Sequence, residues 1–138
     1  MPNRTTHLLA TRPVIKSAKL YDNMSEDEHF QNKTLRPIIK FQNDLFIAAF
    51  RNYVSKHKNV FYDLNLEKQL VYIDNALQKD MKFRNSLKGM VIGQFTEEEY
   101  HIYIKNSSAL NKRMMNIVKE RLCSQIQLLN DSSFLQAV

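Results

Sequence analysis

Residues 37–58, PIIKFQNDLFIAAFRNYVSKHK, begin with the last proline and lead from Ile38 into a run without proline or glycine that ends only at Gly89. All three prolines fall at or before Pro37, and the two glycines are Gly89 and Gly93. Proline removes a helical donor and glycine costs helix stability, so a chain that confines them this way reads as helix from Ile38 onward. Within the run, Ile38, Phe41, Leu45, Ala49, Phe50, Tyr53 and Val54 recur at helical intervals and mark a broad apolar face. Ile47 falls among the polar residues of the opposite side, which makes this helix buried nearly all round or leaves Ile47 for a partner.

Working outward, local signals divide the rest. Ser25 with Glu28 forms a capping box for a first helix from Glu26, and Pro37 places a break or kink near Leu35–Pro37, where Thr34 could cap the helix just quoted. Asn65 opens a helix with the stripe Leu66, Leu70, Ile73 and Leu77, and Asp80 opens another with Phe83, Leu87, Met90 and Val91. Thr96 and Glu99 make the clearest capping box, with Phe95 expected to staple onto Tyr100. From Asn106 or Ser107 a long last helix carries Leu110, Met114, Ile117, Val118, Leu122, Ile126 and Leu129. The expectation is an all-α single domain of five to six helices over residues 25–130, in an orthogonal or bundle-like array. Residues 1–24, without a sustained helical period, read as an extended basic arm, and residues 131–138 as a frayed end.

Composition narrows the functional classes. At 138 residues, 43% hydrophobic and 25% charged, the chain has the make-up of one ordinary globular domain rather than a disordered tail. Its longest apolar run, Leu45–Phe50, is far short of a membrane span, and Met1–Lys19 holds no secretory h-region, so the expected location is cytoplasmic with no membrane contact. The single Cys123 excludes an intramolecular disulfide and a cysteine-rich zinc site.

No cofactor or metal is implied. His7, His29, His57 and His101 are scattered; Glu97 and His101, at i and i+4, come nearest to a metal pair, but those glutamates already serve a helix start. Ser107 and Ser108, with Lys105 and Lys112 nearby, read as ordinary caps, and no glycine-rich loop could cradle a phosphate. Glu97, His101, Lys105 and Ser107 are the least poor catalytic candidates.

Two surfaces remain. Gly89 and Gly93, one turn apart and sharing a face with Asn85 and Ser86, fit a tight helix crossing or a partner groove; with Ile47 they are the candidate partner contacts. The net charge of +6 is concentrated in residues 1–60, whose surplus is five, which marks Arg4, Arg12, Lys16 and Lys19, and on a basic strip of Lys82, Arg84 and Lys88, as candidate polyanion contacts. The first functional expectation is a non-enzymatic protein-interaction module, able to self-associate; the alternatives are an RNA- or ribosome-associated factor and, least favoured, an enzyme.

The segments HFQNKTLRPIIKFQNDL (29–45), QKDMKFRNSLKGMVIGQFTEEEY (78–100) and NSSALNKRMMNIVKERL (106–122) resemble a small bacterial all-helical family whose members often carry the name glyoxalase. The resemblance runs from Met24 to Leu128 and implies kinship. Glyoxalase I proteins present His and Glu to a metal from paired βαβββ modules; this chain has no alternating strand runs, so no residue of that site carries over.

Overall fold

The computed structural model describes residues 3–15 and 20–131, and these are helical with no strand among them. The expected extended arm is corrected at its start. Helix α1 (Arg4–Thr11) is capped by the Asn3 side chain, which accepts the Thr6 N–H at 3.0 Å, and it closes just before Pro13. Lys16 and Lys19 lie outside the described residues, as does the end after Asp131.

Helix α2 (Glu26–Phe30) begins as expected, the Ser25 hydroxyl accepting the Glu28 N–H, with Glu26, Asp27 and Glu28 facing the positive end of the helix dipole. Of the break or kink expected near Leu35–Pro37, the chain shows no helix end but an irregular turn. It passes through a π-helical turn, Gln31–Leu35, into α3 (Arg36–Phe41). There the Arg36 N–H reaches five residues back to the Gln31 carbonyl, and this wider turn accommodates the proline ring without ending the helix. Thr34 is therefore buried inside a continuous helical path rather than capping one.

The true interruption is at Gln42, whose side-chain amide donates to the Met90 carbonyl at 2.9 Å. Helix α4 (Asn43–Lys56) follows and stops where Lys58 and Asn59 adopt positive φ. A 3-10 turn, Val60–Asp63, leads to α5 (Leu66–Gln78), capped by Asn65, and α6 (Met81–Ile92), capped by Asp80, both as the sequence indicates. Then come α7 (Glu97–Tyr103), a 3-10 turn, α8 (Ser107–Ser124) and α9 (Ile126–Leu129).

Helix α8 is the hub, packing against α3, α4, α5 and α6 through Leu110, Met114, Met115, Val118 and Leu122. Four fully buried phenylalanines, Phe46, Phe50, Phe61 and Phe95, add the largest apolar surfaces; Phe50 meets Phe61 edge-on at 5.3 Å. The apolar faces differ from their expected registers. On α3 and α4, Phe41 and Leu45 are exposed, while Ile47 is buried, as one of its two readings has it; on α5, Leu66 and Leu70 are exposed and Gln69 and Ala76 join the expected Ile73 and Leu77 facing inward. Phe95 packs on Phe30 and Tyr103 instead of stapling Tyr100. The break at Gln42 resets the helical phase, which a periodicity counted straight through it cannot follow.

Candidate functional site

The strongest constellation of polar groups gathers at the N-terminus of α7. Thr96 and Glu99 form a complete capping box, the Thr96 hydroxyl accepting the Glu99 N–H at 3.1 Å and Glu99 Oε1 accepting the Thr96 N–H at 2.8 Å. The same carboxylate has two more partners. Arg12 Nη1 lies 2.5 Å from Oε2 and Arg12 Nη2 lies 2.5 Å from Oε1, a bidentate fork, and the Thr34 hydroxyl donates to Oε2 at 3.0 Å. Arg12 and Glu99 side chains are only 10% and 12% exposed, so this is a buried ion pair.

Burial pushes the Glu99 carboxyl upward, but the Arg12 hydrogen bonds and charge, the Thr96 N–H and the Thr34 hydroxyl outweigh it and hold the group below its ordinary value. Arg12 also donates to the Gln94 carbonyl at 2.9 Å, and Arg4 to the Gly93 carbonyl at 3.0 Å. The N-terminal segment is thus fastened across the α6–α7 connection by two arginines. It gives the core nothing in return, since no residue of α1 is buried.

Beneath α1 runs a groove of about 790 Å³ with Leu9, Met24, Phe30, Ile102 and Leu110 on its walls and Glu26, Glu98, Lys33 and Lys105 around it. Outside it, the N-terminal segment turns large apolar side chains to solvent: Val14 is 83% exposed, Leu20 49% and Tyr21 58%. Tyr21 is oriented by donating its hydroxyl to Glu28.

The structure redistributes the residues singled out in the sequence. Ile47 is 4% exposed, so its place is the core and it offers no partner contact. Asn85, Ser86, Gly89 and Gly93 are exposed together, but no side chain or backbone crosses Gly89: a Cβ added there meets nothing within 4 Å. Arg12 is withdrawn from the polyanion surface by Glu99, Arg4 is engaged with a backbone carbonyl, and Arg84 folds back onto the Leu77 carbonyl at 3.1 Å and the Gln78 side chain. Lys82 is exposed and Lys88 half-buried. Glu97, His101 and Lys105 are exposed and Ser107 is the first residue of α8.

Among the described residues no three His, Cys, Asp or Glu side chains gather where they could hold a metal ion, and no helix is long and apolar enough to cross a membrane. Burial raises the pKa of the half-buried Cys123 thiol.

A second concavity, about 840 Å³ and wide open, lies over Tyr53, His57, Tyr72 and Asp80. Burial first, then the hydrogen bond to Asp80 at 3.1 Å, push the Tyr53 phenol up to about 12. Its ring is already covered by His57 at 4.1 Å and Phe83 at 4.3 Å, which leaves it a structural element.

Compared with known proteins, the chain matches no protein-family model, no curated protein and no solved structure.

Proposed function

We propose that this protein is a non-enzymatic protein-interaction module whose N-terminal segment is the contact element, for another protein or for a second copy of the chain. One observation carries the reading: a buried bidentate ion pair, Arg12 with Glu99, holds in place a segment that buries none of its α1 residues and turns Val14, Leu20 and Tyr21 outward. Burying an ion pair gains little net stability, because desolvation offsets most of the attraction; what it provides is a fixed position. Positioning an apolar edge on the surface serves contact rather than core formation.

The test is affinity purification of the tagged full-length chain from its host at low and high salt, with proteins and nucleic acids both identified. The reading expects a protein partner, or untagged copies of the chain, retained at high salt. Recovery of RNA alone, lost as salt rises, would replace it with the nucleic-acid alternative.

A further inference from the structure

We infer that the cleft between α3 and α8 is an oxyanion site that takes a small phosphorylated molecule. The site is distinct from the basic strip on α6, and at its edge the second hollow touches Ile15 of the N-terminal segment. Two adjoining hollows, of about 310 and 340 Å³, share Arg36, Ile117 and Glu120. Arg113 and Lys119 line the first, and Lys40 and Arg121 line the second. Five cations therefore line the two hollows with one carboxylate; Lys119 pairs with Asp74 at 3.0 Å, and among the described residues no carboxylate forms an ion pair with Arg36, Lys40, Arg113 or Arg121. Arg36 and Lys40 stand four residues apart on one helical face, where like charges repel in the absence of an anion.

The arginines are held in position without being neutralised. Arg36 Nε donates to Asn32 Oδ1 at 3.3 Å and Arg113 Nη1 to Gln31 Oε1 at 2.9 Å, while the Gln31 amide reaches Asn32 Oδ1 at 3.5 Å. Two guanidinium groups from different helices are thus oriented by a coupled pair of uncharged amides, both supplied by the π-helical turn. Such turns are rare and recur at functional sites. Arg121 adds a buried Nε that has no hydrogen-bond partner. Guanidinium forks match the oxygens of a phosphate, and pre-orientation lowers the entropy lost on binding.

Size and sign fix the rest of the ligand. Each hollow is near the lower end of small-molecule pockets. The buried Ile117 between them offers an apolar contact for a carbon skeleton, and Glu120 accepts from a hydroxyl or amine. The small volume of each hollow favours a compact phosphate over a nucleic-acid backbone.

Calorimetric titration of the full chain with inorganic phosphate and pyrophosphate at constant ionic strength tests the inference. Saturable binding is expected. Arg36→Gln and Arg113→Gln should each weaken it by about tenfold, the loss of one or two charge-assisted hydrogen bonds. Gln31→Ala, which leaves the charge unchanged, should weaken it by roughly threefold through lost orientation. Glu120→Gln should strengthen it several-fold, and Lys82→Gln on α6 should leave it unaltered. Where Arg113→Gln lowers the melting temperature, Arg113→Lys, which keeps the charge and removes the fork, should still weaken binding by roughly threefold or more. Absence of saturable binding, equal sensitivity to Lys82→Gln, or binding only of a single-stranded RNA oligomer in a steeply salt-dependent way would each overturn it.

Discussion

Arg12 and Glu99, 87 residues apart in the chain, meet through two 2.5 Å contacts that join the N-terminal segment to the capping box of α7. One carboxylate thereby closes a helix, anchors a surface segment and receives Thr34 from the π-helical turn. A local feature legible in six residues of sequence is the fixed point for two distant ones.

Removing the arginine should loosen the segment before it harms the domain. Arg12→Ala leaves Glu99 without its cation, a change of about 3 kcal/mol for a well-buried pair, but release of α1 lets water reach the carboxylate and caps the global loss below that figure. Hydrogen exchange should show residues 4–12 losing protection while α4, α5 and α8 retain theirs. Uniform loss across all helices would contradict this order of events.

Acid should act on the same point. The Glu99 carboxyl sits below its ordinary 4.5, so the unfolded chain binds more protons than the native one between the native and unfolded values, and stability rises with pH there. The contribution is complete above about 4.5 and is lost as pH falls through the depressed native value. Glu99→Gln should flatten the acid limb of a melting-temperature profile below the ordinary carboxyl value of 4.5. An unchanged acid limb would mean that the pair contributes nothing.

Gly89 offers a gain. It lies within helical α6 with open space where a side chain would stand, so Gly89→Ala should stabilise by about 0.5–1 kcal/mol in chemical denaturation. At Gly93 the same Cβ would lie 3.1 Å from the Gly89 carbonyl oxygen, and the gain should be smaller or absent. A stable Gly89→Ala protein with unimpaired association also separates the exposed glycine face from the contact surface; impaired association would restore that face as a partner groove.

The core has its own expectation. Phe50 touches Tyr53, Phe61 and Tyr72, and Phe50→Ala should destabilise by about 3–5 kcal/mol through lost burial and a residual cavity. A loss under about 1 kcal/mol would show that the aromatic cluster collapses to fill the space.

Helix starts were readable because their chemistry is local: Ser25, Asn65, Asp80 and Thr96 each accept the backbone N–H three residues on, as their sequences suggest. What escaped reading was set by distant contacts. The Asn3 cap is equally local, yet α1 is short and has no apolar stripe, and Arg4 and Arg12 fasten it to backbone and side chains some ninety residues away. Thr34 has a cap residue's chemistry, but its hydroxyl goes to Glu99. The cation cluster of Arg36, Lys40, Arg113 and Arg121 is invisible in a linear charge count, because α3 and α8 bring together residues that lie far apart in the sequence.

The most direct test of the interaction reading compares wild type with Val14→Asp/Leu20→Asp, a change confined to exposed side chains, by affinity purification at high salt and by mass photometry of the purified proteins. The account predicts that wild type retains a protein partner or its own copies, and that the double variant loses them with an unaltered circular dichroism spectrum. Equal recovery from both, or wild type monomeric and without any protein partner, would contradict it.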